Sequence, residues 1–379
     1  MTAQVQGTCD DRFSAVKDIL AASLDSGADL GASFAVTVEG ELVVDIWGGW
    51  ADEEKTRPWE RDTITNVWST TKTMTALCAL ILADRGELDF DAPVSRYWPE
   101  FAAGGKQDRV LVRHIMSHTA GLPGWDEPMK LEDLYDWEKC TSLLAAQEPW
   151  WEPGTASGYH AVTQGYLVGE VVRRISGATL GRFFADEVTG PLGADFHIGL
   201  PAGEDGRVSY VIPPNIDLTG VDATPTAQRA LANPPLDGTE PQSAAWRRAE
   251  IPAANGHGNA RSVALIQAAV ANGGQVAGVK LLSEAGCRRI FDEQARGTDL
   301  VLNVPMRLGI GYGLTAEETP VSPNANACYW GGWGGSVIVV DLDARMTFAY
   351  MMNRMESGLV GDIRGFALGM AAYEAVGSV

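Results

Sequence analysis

The sequence predicts an α+β fold: one antiparallel sheet built from both termini and flanked by helices, with a mainly α-helical lobe inserted between. Three observations carry this. Strand-type runs rich in β-branched and apolar residues lie near the two ends, at 33–47 and 337–352. Helical periodicity dominates the middle of the chain. The glycine-rich stretch 331–335 runs into a strand, whereas a dinucleotide-binding loop must open a helix.

The elements follow in order. Asp10 and Asp11 precede Phe13, Val16, Ile19, Leu20 and Leu24, one apolar face at helical spacing that stops at Gly27. Runs at 33–38 and 41–47 flank Glu39-Gly40 and predict a hairpin, so the chain opens as helix, then antiparallel strands. Helices are expected from 69 to about 86, over 164–175 and over 179–187. Residues 200–254, rich in Pro, Gly and Asp, read as an irregular flap over a site. Strands at 337–341 and 346–352 and a closing helix at 361–376 complete the chain. The expected organisation is a discontinuous sheet domain, 1–75 with 255–379, and a helical domain, 76–254, carrying the flap.

Length and composition narrow the function classes. The 379 residues are 45% apolar and 21% charged, an ordinary globular balance. Twenty-nine basic against 49 acidic residues leave a net charge of −20, which repels phosphate backbones and anionic lipid, so neither nucleic acid nor membrane is an expected partner. No apolar run reaches the length of a membrane span, and the first thirty residues do not read as a signal peptide. Five widely spaced cysteines without a CxxC pair suggest reduced thiols and a cytoplasmic location. No ligand cluster or H-E-x-x-H motif points to a metal, and no cofactor is expected.

Three segments carry chemistry. In Ser69-Thr70-Thr71-Lys72, serine at a helix start meets the positive end of the dipole, and lysine three residues on shares its face. A lysine desolvated there loses proton affinity and can act as a base. By itself the tetrapeptide could equally be a capping serine beside a solvated lysine. Tyr159 follows the Pro153-Gly154 turn and could relay a proton, although a tyrosine after a glycine is usually a packing residue. Trp330-Gly331-Gly332-Trp333-Gly-Gly-Ser336 leads into a strand whose glycines would let it approach a substrate and offer a backbone N–H.

In this order and spacing the three segments resemble the serine β-lactamase-like superfamily, which includes class C β-lactamases, D-alanyl-D-alanine carboxypeptidases and family VIII carboxylesterases. Gly86-Glu-Leu-Asp89, Pro93-Val-Ser-Arg-Tyr-Trp-Pro99, His114-Ile-Met-Ser-His-Thr-Ala-Gly-Leu-Pro123, Pro191-Leu-Gly193, 255–262 and Met352-Asn353 are similar to further family segments. The resemblance implies a β-lactamase/transpeptidase-like fold, Ser69 as the acylated nucleophile, Lys72 as base alone or shared with Tyr159, and the N–H groups of Ser69 and Trp333 as the oxyanion hole.

Two departures bear on substrate. The family's Tyr-x-Asn motif has Ala161 at its third position, removing a side chain that would bind a substrate amide and help orient Lys72. Its Lys-Thr-Gly motif is Trp330-Gly331-Gly332 here, as in many family VIII esterases, so the lysine that would pair with a substrate carboxylate is missing. An arginine carried in by the flap, Arg247 or Arg248, would restore that charge. Trp330, Gly331, Gly332, Trp125, Trp151, His160 and His257 are candidate substrate-binding residues. The expected activity is hydrolysis of a small-molecule, short-chain carboxylic ester through an acyl-enzyme, with at most weak β-lactam hydrolysis. A β-lactamase, a D-amino peptidase or carboxypeptidase, an acyltransferase and a non-catalytic penicillin-binding-like protein are the alternatives.

Overall fold

A computed structural model describes residues 4–214 and 224–377. Its centre is a nine-stranded, wholly antiparallel sheet. From one edge the strands are Gln6–Cys9, Glu41–Gly49, Gly31–Val38, Met346–Met352, Val337–Asp341, Ala327–Gly331, Gly313–Leu314, Pro305–Leu308 and Ala295–Thr298. The termini therefore meet in mid-sheet, where Phe34 pairs with Tyr350 and Thr37 with Thr347. The Thr37 and Thr347 hydroxyls, 310 residues apart in sequence, are 2.7 Å from each other. The hairpin at 39–40 forms because Glu39 and Gly40 both take positive φ, 51° and 84°, matching the right-handed twist of the strands.

One face of the sheet carries helix Ala260–Ala271, whose Ala264 carbonyl accepts the Thr347 hydroxyl. Helices Ser14–Ser26 and Ile363–Val376 also pack on the sheet and on each other. Gly369 fits the closing helix onto it: a Cβ there would lie 2.2 Å from the Phe348 ring, which is itself held between Phe34 and Tyr373. Helices Thr71–Asp84, Trp137–Ala146 and Thr163–Ser176 build the lobe. Asn353 joins the main sheet to a four-stranded one: its Oδ1 accepts from Gly31 N, and its Nδ2 donates to Trp50 O and to Ser209 Oγ.

Several expectations change. A strand, Gln6–Cys9, precedes the first helix and pairs with Glu41–Gly49. The helix expected at 179–187 stops at Phe184 and widens into a π-turn, Ala185–Thr189. Strands 295–298 and 305–308 are not expected from the sequence; both are short and carry Gly297 and Pro305, the first largely exposed and the second burying Met306 and Leu308. The flap is not bare coil. Helix Pro225–Leu231 is capped by the Thr224 hydroxyl and helix Ala244–Arg248 by that of Ser243, while Val208–Ser209 pairs in parallel with Ile64–Asn66. The part of the expected flap at 215–223 lies outside the described residues. No helix among the described residues is long and apolar enough to cross a membrane.

Gly369→Ala forces a methyl against the clamped Phe348 ring. It should cost about 1–3 kcal/mol, the usual range for overpacking, read as a lower urea midpoint with an unchanged m-value. Phe348→Leu in the same background should recover part of the loss, whereas full additivity of the two changes would contradict this packing account.

Candidate active site

The turn that carries Ser69 leads directly into a helix. Trp68–Thr70 forms a 3-10 turn running into helix Thr71–Asp84, and Trp68 takes φ 47°, a conformation that a bulky residue adopts only when its surroundings impose it. Those surroundings are visible. The Trp68 indole packs 5.0 Å from that of Trp333 and 5.7 Å from that of Trp246. Val67 donates its N–H to Gly256 O, and its carbonyl accepts the Ser336 hydroxyl at 2.8 Å. Ser336 Oγ also lies 2.9 Å from Thr70 Oγ1, so the turn is bolted to the loop before strand Val337–Asp341.

Ser69, Lys72 and Tyr159, from two distant segments, converge on one point. Tyr159 OH donates to Ser69 Oγ at 2.5 Å, and Lys72 Nζ lies 3.0 Å from the same oxygen. The amine also donates to Ala161 O at 2.7 Å and to Ala253 O at 3.0 Å, and it sits 4.8 Å from the Tyr159 ring centre. Lys72 is 2% exposed, and burial holds its pKa well below 10.5. Burial likewise raises the pKa of the Tyr159 phenol, against the opposing hydrogen bond to Ser69. Ser69 itself retains 8% exposure.

Position 161 works through its backbone. The expectation that Ala161 weakens the orientation of Lys72 is corrected: the Ala161 carbonyl holds the amine regardless of the side chain.

Of the candidate substrate-binding residues, Trp330 lies closest to the reacting groups. It is 1% exposed, its ring centre 5.8 Å from that of Tyr159 and stacked 5.2 Å from that of His118. Gly331 and Gly332 do not make room for a substrate. Gly331 ends a strand interior to the sheet and Gly332 follows it; a Cβ at Gly331 would strike Gly361 N at 2.3 Å, and one at Gly332 would strike Val67 O and Ser336 Oγ at 2.3 Å. His160 is consumed structurally: Nε2 accepts from Leu122 N, Nδ1 bonds Gly158 O, and burial lowers its pKa to about 3. Trp151 braces the same loop, donating to Ala156 O and lying edge-on to His160. Trp125 belongs to the lobe core, bonded to Cys140 O and packed on Tyr166. His257 is buried in the small sheet, its Nδ1 on Asn255 O, and burial lowers its pKa to about 3. Arg247 and Arg248 are engaged as well. Both pair with Asp205, and Arg247 also donates to Pro241 O and Gln242 O.

Two residues not singled out from the sequence complete the setting. Asp299 accepts from Tyr159 N, Val301 N and Leu302 N through one oxygen, Oδ1, and so pins the tyrosine's backbone. His118, at φ 61°, packs edge-on to Tyr159 at 5.1 Å and accepts from His160 N. Its segment was noted as a motif, but nothing local marks which histidine faces the site; Asp299 is 140 residues from its partner and gives no local signal. Around Tyr159 and Trp330 gathers an apolar cluster of Ala227, Ala230, Val301, Met306 and Leu308, with Trp150, Ala161, Ala295 and Leu302 at its margin. Among the described residues no three His, Cys, Asp or Glu side chains gather where they could hold a metal ion.

A basic amine kept dry beside a serine hydroxyl, with a phenol on its other side, is an arrangement for activating the serine as a nucleophile. Known proteins resemble this chain over most of its length. The beta-lactamase family model matches residues 16–368. The chain is 35% identical over 375 residues to the esterase/beta-lactamase LipL of Mycobacterium tuberculosis, covering 94% of this chain and 85% of that protein. The crystal structure of a family VIII carboxylesterase superposes with a TM-score of 0.93 at 44% identity, covering 98% of this chain and all of that one. A penicillin-binding protein homolog from Caulobacter crescentus gives the same TM-score and coverage at 39% identity. The chain thus belongs to the beta-lactamase family.

Proposed function

We propose that this carboxylesterase hydrolyses neutral, short-chain esters through an acyl-enzyme on Ser69. The observation that carries the reading is the environment of Lys72 Nζ. A neutral amine has two N–H bonds and one lone pair. The Ala161 and Ala253 carbonyls take the two N–H bonds, which leaves the lone pair directed at Ser69 Oγ. Burial lowers the proton affinity of the amine well below its ordinary value, which favours the neutral form that this reading requires.

In this mechanism Lys72 takes the Ser69 proton as Oγ attacks the ester carbonyl. The carbonyl oxygen becomes an oxyanion, bound by the N–H groups of Ser69 and Trp333. Collapse expels the alcohol, which receives a proton from the Tyr159 phenol, and Tyr159 regains one from the Lys72 ammonium. Water then adds to the acyl-enzyme by the same relay in reverse, and Ser69 recovers its proton as the acid leaves. The raised pKa of Tyr159 supports a phenol that stays protonated between steps. The Trp333 amide suits its role because its neighbours are occupied: Gly332 N donates to Ser336 O, Gly334 N to Gly358 O and Gly335 N to Gly332 O.

The preference for neutral substrates rests on Trp330 and on engaged arginines. A penicillin carboxylate must be desolvated on binding, and leaving it unpaired costs several kcal/mol. Besides Arg247 and Arg248, Arg229 on the flap helix lies over Trp150 and pairs with Asp126. An acyl chain meets the apolar cluster instead, at about 0.8 kcal/mol per buried methylene. All five cysteines are unpaired and four are buried, which supports the cytoplasmic reading.

Ser69→Ala should leave the fold intact and lower turnover of p-nitrophenyl butyrate on the order of 10⁴–10⁶. Retention of a tenth of the activity would remove Ser69 from the mechanism. Tyr159→Phe should be severely impaired and non-additive with Ser69→Ala.

Because the neutral amine is the active form, kcat/KM should fall tenfold per pH unit on the acid side of the Lys72 pKa, and that limb should lie below 10.5. Lys72→Arg, charged at every accessible pH, should lose on the order of 10³ in rate and show no alkaline recovery.

Comparison of kcat/KM for p-nitrophenyl butyrate, nitrocefin and benzylpenicillin under one set of conditions tests selectivity. The ester should dominate, and equal efficiency on benzylpenicillin would favour a β-lactamase.

A further inference from the structure

Behind the loop that presents Trp333 lies a buried ionic cluster that the mechanism above does not use. Arg364 stands in the first turn of the closing helix with its side chain 9% exposed. Its Nη1 donates to Asp29 Oδ1 at 2.9 Å and to Ala28 O and Arg354 O at 3.0 Å each. Its Nε and Nη2 both donate to Asp362 Oδ2, at 3.0 and 2.5 Å, and Nη2 donates in addition to Gly334 O at 2.8 Å. Asp29 is fully buried and also accepts from Ser23 Oγ and Tyr350 OH at 2.6 Å each. One guanidinium thus joins the end of the first helix, the turn after the last strand, the start of the closing helix and the loop beside the nucleophile.

The loop needs an external hold. Gly334 and Gly335 sit at φ 92° and 133°, where their own sterics confine them least. Two groups grip the Gly334 carbonyl, Glu356 N at 2.9 Å and Arg364 Nη2. Gly335 rests directly on the cluster: a Cβ there would lie 2.4 Å from Asp362 Oδ2 and 2.7 Å from Arg364 Nη2. The planar fork of arginine holds several acceptors in fixed relative positions, which an ammonium does not.

We infer that Arg364, held by Asp29 and Asp362, is a positioning residue for ester hydrolysis: it fixes the 332–335 loop so that the Trp333 N–H meets the developing oxyanion. The inference rests on the reading of Ser69 as nucleophile and Trp333 as oxyanion donor. Oxyanion stabilisation acts on the transition state, so loosening the loop lowers kcat and kcat/KM together.

The test compares Arg364→Met, Arg364→Lys and the double variant Asp29→Asn/Arg364→Met with wild type. Active sites are counted by the p-nitrophenol burst, and each variant's melting temperature is measured. Arg364→Met strands the Asp29 and Asp362 carboxylates and should lower the melting temperature; the double variant removes the fully buried one and should recover part of the loss. Neither restores the donor to Gly334 O. Per active site, both should therefore lose about 10- to 100-fold in kcat, a fraction of the 10²–10³ lost when an oxyanion donor is removed outright. Arg364→Lys should fold most readily and still lose several-fold. Inhibition by butylboronic acid, whose tetrahedral serine adduct places an oxygen in the oxyanion site, should weaken by the same factor as kcat. Wild-type kcat in the double variant, or an unchanged boronate constant in Arg364→Lys, would overturn the inference and leave the cluster a purely structural one. Ser69→Ala run alongside separates the two claims: persistent activity there removes the reading of the site, whereas normal rates in Arg364 variants of a Ser69-dependent enzyme remove only the positioning role.

Discussion

A lysine amine shut away from water, its proton affinity lowered by burial, is the constraint to which the rest of the site answers. Lys72 cannot be buried singly at low cost, because both N–H bonds of the neutral amine and its lone pair need partners. The chain meets this with groups from three places: Ser69 one turn away, the carbonyl of Ala161 after the tyrosine, and the carbonyl of Ala253 at the end of the flap. Fixing those carbonyls fixes the segments that bear them. Asp299 pins Tyr159, His160 ties its loop to Leu122, and Asn255 holds Ile251, Trp246 and Ala249 around the turn that carries Ala253. The lobe and the sheet are joined at the site by the needs of one nitrogen.

This division explains how much the sequence revealed. The first helix and its stop at Gly27, the 31–49 hairpin and the last two strands were legible because their signals are local: apolar spacing, turn residues, β-branched runs. Ser69 and Lys72 were legible as a pair because three residues along a helix is one turn. Tyr159 was not identifiable from its own neighbourhood and entered through the resemblance to a family. Strands 6–9 and 295–298 carry no apolar alternation of their own, and the alternation at 305–308 spans only four residues and starts on a proline, so these strands exist through the strands they pair with. The flap misled because its Pro, Gly and Asp content outweighed two local helix starts, Thr224-Pro225 and Ser243, that a capping argument would have found.

The candidate pocket residues Trp125, Trp151, His160 and His257 share a property. They are aromatic or titratable side chains near recognisable motifs, which is what a substrate-binding residue looks like in one dimension. In the fold Trp125, Trp151 and His160 spend their polar atoms on backbone carbonyls or amides, and His257 places Nδ1 on Asn255 O while its buried Nε2 has no partner among the described residues. Gly331 and Gly332 erred the other way: their lack of side chain admits protein, not ligand. The residues that shape the surroundings of Tyr159, such as Ala227, Ala230 and Val301, are small or aliphatic and carry no chemical signature. An apolar cluster of that kind is legible only after the chain has folded around it.

The meeting of the two termini in mid-sheet has a consequence for biosynthesis. Strand Gly31–Val38, buried along nearly its whole length, lies between its hairpin partner and Met346–Met352. Until the latter emerges from the ribosome, one apolar flank of the hairpin presents unpaired backbone groups, the template on which edge-to-edge aggregation starts. At 5–20 residues per second, the 310-residue separation of Thr37 and Thr347 corresponds to roughly 15–60 s of exposure. Residues 31–49 stay open to such pairing for that interval, and slower translation through the intervening residues lengthens it.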